Sequence, residues 1–184
     1  MERELTRFLE EPTQRNYFAA RAAALRISPR LVALTDMHEI EQLVLAADCT
    51  RALDRLESLP PAAALSPRVH FLAAQIADEM HDVAGVELER FLFVVCLQAL
   101  LATGDGSETS PYKILQTTDQ QDVLTSLHAT AVKHTLLPRG AMTLEVAVDA
   151  AGRQIWFDVT GLMPARKIRR RVAPRASRRK LAQK

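Results

Sequence analysis

The 184-residue chain is poor in the residues that do chemistry by motif. It has 2 cysteines, 6 glycines, 1 tryptophan and 2 tyrosines, and aromatic residues make up only 5%. Cys49 and Cys96 lie far apart inside apolar helical stretches, which excludes a disulfide framework and a cysteine-ligated metal and points to two buried free thiols. The glycines form no Gly-x-Ser-x-Gly elbow, and no glycine run ends in a Lys-Ser/Thr pair, so nucleophile-elbow and phosphate-loop chemistry are excluded. The longest apolar run, Phe91 to Ala102, includes Gln98 and is too short for a membrane span of about 20 residues. Charges in the opening Met-Glu-Arg-Glu-Leu-Thr-Arg rule out a secretory signal and make the cytoplasm the expected location.

Acidic residues are missing from one end. None follows Asp158, while ten Lys/Arg lie between Arg166 and Lys184. The remaining chain has fourteen basic residues against twenty-two acidic ones, a net of −8 concealed by the whole-chain value of +2. An acidic body with a basic arm is the main compositional signal. Pro164, Pro174 and the absence of aromatics predict a disordered arm over residues 164–184. Its cations Arg166, Lys167, Arg169, Arg170, Arg171, Arg175, Arg178, Arg179 and Lys180 suit phosphate backbones or other anions.

Hydrophobic content of 48% and charged content of 25% fit a globular body. Residues 1–103 read as helices. Segments near 3–10 and 14–26 are followed by Ser28-Pro29, where proline disfavours helix in the residue before it. Asp36 reads as a cap for a helix whose Ile40, Leu43, Val44 and Ala47 recur at helical spacing. A helix with Leu53, Leu56 and Leu59 ends at Pro60-Pro61, and Ser66-Pro67 opens the next. The run from Phe91 to Leu97 is apolar all round and is expected at the centre of the core. Overlaying the chain on itself at an offset of 35 puts Leu53 on Leu88, Arg55 on Arg90, Leu56 on Phe91 and Leu59 on Val94, a tetratricopeptide-like period.

Thr103 to Ser110 is turn chemistry. Beyond it, Tyr112 to Gln116 reads as a strand. Asp119 caps a helix carrying Val123, Leu124, Leu127 and Ala131, and Pro138-Arg139-Gly140 is a turn. Two alternating segments, near 143–149 and 154–159, form a hairpin across Ala150-Ala151-Gly152. The fold class is α+β: helical residues 1–103, then a small antiparallel β-α-β-β unit over 104–163 packed on them. Trp156 is placed on the sheet face opposite Ile155, Phe157 and Val159, with Glu145, Ala147 and Asp158. That second face is expected to pack on the Phe91–Ala102 helix.

The ordered set Gly104-Asp105-Gly106-Ser107-Glu108, Pro111-Tyr112, Asp122-Val123-Leu124 and Trp156-Phe157-Asp158-Val159 resembles an uncharacterised bacterial domain family of unknown function. In that family a helical, repeat-like region precedes a Gly-Asp-Gly-Ser turn and a small α+β unit. The resemblance covers roughly residues 45–163 and implies the two-part layout and a bacterial source. Gln120-Gln121 stands where related sequences have an acidic-Tyr pair, and no activity carries over.

The candidate interaction residues are Asp105, Ser107, Tyr112, Trp156 and Asp158. The turn lacks the later oxygen ligands of a calcium loop. Asp78 and His81 are three apart with no second pair to complete a metal site, and His128 and His134 fall on different faces of the later helix. No cofactor, metal or catalytic group is expected. A non-enzymatic interaction or scaffold module is the leading expectation. The alternative is a nucleic-acid or ribosome-associated protein acting through the basic arm. A weaker one is a hydrolase built around the Gly-Asp-Gly-Ser turn.

Overall fold

A computed structural model describes residues 1–162. The expected helical and α+β parts are both present, in the order α1 (Glu2–Glu10), α2 (Gln14–Ile27), α3 (Leu34–Leu45), α4 (Cys49–Glu57), α5 (Pro67–Glu79), α6 (Val83–Leu101), β1 (Tyr112–Lys113), α7 (Thr117–Ser126), β2 (Ala131–Arg139), β3 (Met142–Asp149) and β4 (Gln154–Asp158). A 3-10 turn over Pro61–Leu65 links α4 to α5.

Helix starts follow side-chain chemistry. Thr13 accepts from Asn16 N at the head of α2, Asp48 from Arg51 N at α4, and Asp82 from Gly85 N at α6. Asp36 is not the cap expected of it. The helix starts earlier, at Leu34, and Asp36 reaches back from its first turn to the Ala33 N–H at 3.3 Å. Ser66 occupies the expected cap position of α5, yet its hydroxyl makes no capping bond.

Helix ends compensate for the shortage of glycine. Helices α3, α5 and α7 close with paired 6→1 and 5→2 backbone bonds, which need a left-handed residue just past the helix. The bonds run from Asp48 N to Leu43 O, Asp82 N to Ala77 O and Ala129 N to Leu124 O, with their companions beside them. The left-handed residues are Ala47, His81 and His128, with φ of 54°, 60° and 52°. His81 therefore lies past the end of α5 and does not share a helix face with Asp78. Among the described residues no group of His, Cys, Asp or Glu is placed to hold a metal.

The sheet order is β1-β4-β3-β2. It differs from the expectation in two ways. First, β1 is parallel to β4, with Tyr112 beside Phe157, so the sheet is mixed and not antiparallel throughout. The crossover through α7 carries the chain back, so that β2 and β4 both run in the direction of β1 and only β3 opposes them. Second, residues 131–139 form a long strand, where apolar spacing extends the helix to Ala131 and residue types place a turn at Pro138-Arg139-Gly140. His134 lies on that strand, and α7 ends at Ser126. The turn sits one residue later, at Gly140-Ala141, where Gly140 has φ 61°. Proline is tolerated in β2 because the strand is at the sheet edge.

One core cluster joins Phe8, Tyr17, Ala20, Ala24, Leu65, Val95, Cys96 and Leu115, and another joins Leu100, Ile114, Val123, Ala147, Ile155 and Phe157. The C-terminal end of α6 enters both clusters and binds the helical part to the sheet. Arg21 on α2 donates to the carbonyls of Lys113 and Ile114, and Gln14 to that of Ala102 at 2.7 Å, sealing the same seam. The positions equated by the offset of 35 meet different surroundings: Leu53 and Leu56 pack inward from α4, whereas Leu88, Phe91 and Val94 are exposed on α6.

Candidate docking surface

The Gly-Asp-Gly-Ser turn is closed by its own side chains. Asp105 Oδ1 accepts from Ser107 N at 2.8 Å, Ser107 Oγ accepts from Ser110 N at 3.1 Å, and Asp105 N donates to Ser110 O at 2.9 Å. The Ser107 hydroxyl and then the Ser107 N–H hold the Asp105 carboxyl below the usual carboxylate range. Glycine is required twice. A Cβ on Gly104 would fall 2.4 Å from the carbonyl oxygens of Ser110 and Pro111, and one on Gly106 would strike the Tyr112 ring at 2.7 Å. Gly106 O accepts from Trp156 N at 2.9 Å, fastening the turn to β4.

The other candidates serve the same fastening. Tyr112 is buried with its ring 6.1 Å from Phe157. Asp158 accepts from Thr160 N at 3.0 Å. Trp156 is on the face opposite Ile155 and Phe157, as expected, but its neighbours and its cover differ. The hairpin register pairs Trp156 with Val146, so its face carries Leu144 and Val146, while Glu145 and Ala147 share the other face with Phe157 and Ile155. Helix α6 packs against the Ile155 and Phe157 side. Trp156 is only 9% exposed because Leu144, Val146 and Leu137 surround it and Arg139 lies over its ring at 5.8 Å. Arg139 in turn pairs with Glu108 of the turn. Asp105, Ser107, Tyr112 and Trp156 thus hold the turn on the sheet, Asp158 closes the turn after β4, and none of the five lines the clefts described below. The basic candidates from Arg166 to Lys180 lie outside the described residues.

Between α5, α6 and α7 runs a buried polar seam that the sequence reading missed. Asp119 is fully buried, and its Oδ2 accepts from Leu115 N at 2.7 Å and Gln116 N at 2.8 Å. Burial pushes its carboxyl up to about 7 against those stabilising bonds. Asp122 pairs with Arg68 at 3.0 Å, yet burial outweighs the guanidinium and raises it to about 6. Gln116 reaches across to accept from Val32 N at 2.8 Å. Cys96 is buried and its thiol is pushed up to about 12, so it is inert as a nucleophile. Cys49 is only half-buried, at the start of α4. The seam holds α7 against the helices. The only signal for it in the sequence was two aspartates three apart on one helix.

An exposed apolar face lies on the helices. Although the Phe91–Leu97 stretch of α6 is apolar all round, only part of it is covered. The inner side of α6 buries Val95, Cys96, Ala99 and Leu100, while Leu88 (55%), Phe91 (54%) and Val94 (46%) face outward. Phe71 on α5 is 42% exposed, its ring 6.2 Å from Phe93 and under the Arg68 guanidinium at 5.5 Å. A cleft between α5 and α6 is lined by Phe71, Ala74, Gln75, Asp78, Arg90 and Phe93. A second, between α3 and α5, shares Phe71 and Gln75 and includes Val44 and Leu45. At the α5–α6 turn, Asp78, Glu79, Asp82 and Glu87 surround exposed Met80 and Val83. None of these four carboxylates forms an ion pair among the described residues. The surface is an apolar ridge with an acidic end, suited to a partner's apolar side chains flanked by cations.

Compared with models of protein families, with curated proteins and with solved structures, the chain matches none. Among the described residues no helix is long and apolar enough to cross a membrane.

Proposed function

We propose that this protein is a non-enzymatic bacterial interaction or scaffold module, cytoplasmic and helical-repeat-like in its first part, that binds a protein partner on the α5–α6 face. The observation that carries the reading is the outward side of α6. Contiguous exposed apolar side chains mark interaction surfaces, because water penalises leaving them uncovered by about 25 cal/mol per Å². Leu88, Phe91 and Val94 stand exposed at successive turns of α6, and Phe71 of α5 lines two clefts of the same helical part. The fitting partner is an amphipathic helix with apolar anchors at i, i+3/i+4 and i+7 and Lys or Arg near the acidic end. The likeness to an uncharacterised bacterial domain family belongs to the same proposal.

Phe91→Asp combined with Val94→Asp tests it. Both side chains are already exposed, so the melting temperature is expected to stay within a few degrees of wild type. A partner retained by the full-length protein is expected to be lost by the double variant. Retention of the same partner at the same affinity would remove the face from consideration.

A second reading rests on the charge split. Residues 1–162 hold all the acidic residues, so the ten Lys/Arg beyond them form a separate basic object. Binding to phosphate backbones through it would fall steeply with salt and vanish when residues 165–184 are removed.

A further inference from the structure

Strand β2 is the free edge of the sheet, and it is long for one. It spans nine residues, where the opposite edge, β1, spans two and is covered by Arg21 and Phe18 of α2. The Gly140-Ala141 hairpin pairs Arg139 with Met142, which places 139, 137, 135 and 133 in hydrogen-bonding positions toward β3. The backbone N–H and C=O of His134 and Leu136 therefore point away from the sheet, and Val132 lies in the bulge beyond Lys133, without a partner on β3. Pro138 falls in the same outward set, where its missing N–H costs β2 no bond to β3. No hydrogen bond from any other described residue reaches these groups. Val132 and Leu136 are also 67% and 52% exposed, so the edge offers apolar side chains along with its unpaired backbone.

We propose that β2 pairs with β2 of a second copy of this chain, antiparallel about a two-fold axis at His134. The reason is that the strand is complementary to itself in this register. Placing His134 opposite His134 sets Leu136 opposite Val132 at both ends, an apolar cross-strand pair made twice. His134 and Leu136 of each strand then turn their free backbone groups toward the other strand, and neither Pro138 is asked to donate. On the opposite side of the ribbon, Thr135 faces Lys133. Each His134 keeps its own carboxylate, Glu145 Oε1 at 2.7 Å, and Glu145 also accepts from Gln120 at 3.0 Å. Shifting the axis to Leu136 would put Pro138 opposite His134 and lose a donor on each strand. The bulge between Ala131 and Lys133 ends the ribbon at Val132. The result is an eight-stranded sheet across two chains, held by an interface at the small end of the range, so the dimer dissociates on dilution.

The inference is independent of the α5–α6 face. Sedimentation of the full-length protein over a wide concentration range tests it. Wild type is expected to pass from monomer to dimer as concentration rises. Leu136→Lys and Val132→Lys, both at exposed positions, are expected to remain monomeric with unchanged helical and sheet signatures by circular dichroism. His134→Cys in a Cys49→Ser background is expected to form a disulfide-linked dimer under mild oxidation. A wild-type protein that stays monomeric at every concentration overturns the proposal, as do dimers that persist unchanged in both lysine variants. A monomer whose β2 captures a strand of another protein also overturns the second copy as occupant.

Discussion

Asp119 lies fully buried at the junction of the two parts of the molecule, where a charge is costly to hold. Its side chain takes up the N–H groups of Leu115 and Gln116, which the sharp turn into α7 would otherwise leave unpaired. Removing that acceptor in Asp119→Ala is expected to cost about 2–4 kcal/mol, measured by urea denaturation, since two buried donors lose their partner. The charge has a separate consequence. In the unfolded chain both aspartates ionise near pH 4, whereas in the folded chain Asp119 holds its proton to about 7 and Asp122 to about 6. Between those limits the folded state binds protons that the unfolded state has released. Their contribution to stability is therefore complete below about pH 4, declines as pH rises toward 7, and is level above. Asp119→Asn keeps an oxygen to accept the two N–H bonds but cannot ionise. Its stability profile between pH 4 and 7 is expected to be flatter than wild type, with only the Asp122 share remaining. An unchanged slope would mean Asp119 is ionised in the fold. Hydrophobic periodicity could not have revealed this group, since an aspartate at the head of a helix looks the same whether its carboxyl is solvated or buried.

Among the secondary-structure elements, the helices were the legible part and their ends were not. Ile40, Leu43, Leu72 and Ile76 mark inward faces by spacing alone, and those residues are buried. The three left-handed ends at Ala47, His81 and His128 gave no such signal, because glycine normally announces that geometry and this chain has few. Ala47 is exposed and carries a Cβ in a conformation that disfavours it. Ala47→Gly is expected to stabilise the protein by about 0.5–1 kcal/mol, read as a rise in melting temperature. The gain is small because glycine also gives the unfolded chain more freedom. A drop would show that the seat is not strained. Strand β2 was hidden for a different reason. As an edge strand it buries neither face fully, so Val132, Leu136 and Leu137 do not alternate cleanly with polar residues, and the apolar positions of α7 ran on into it at helical spacing.

The whole molecule is an acidic body followed by a basic arm. Residues 165–184 carry ten Lys/Arg and no aromatic residue, a composition too polar to build a core. Deleting residues 165–184 is therefore expected to leave the melting temperature within a degree or two of full length, while the body migrates as a protein of net charge −8. A large fall in melting temperature would show that the arm contributes to the fold. The sequence by itself determined this charge division, the two-part α+β layout and the inward faces of the helices, because each is a local property of composition or period. Tertiary structure alone decided which side of α6 stays exposed, which way Trp156 is covered, that β1 runs parallel to β4, and that two aspartates are desolvated. Each of those depends on what packs against a residue from a distant part of the chain. A helical stretch apolar on every side carries no mark of which side its neighbours leave open.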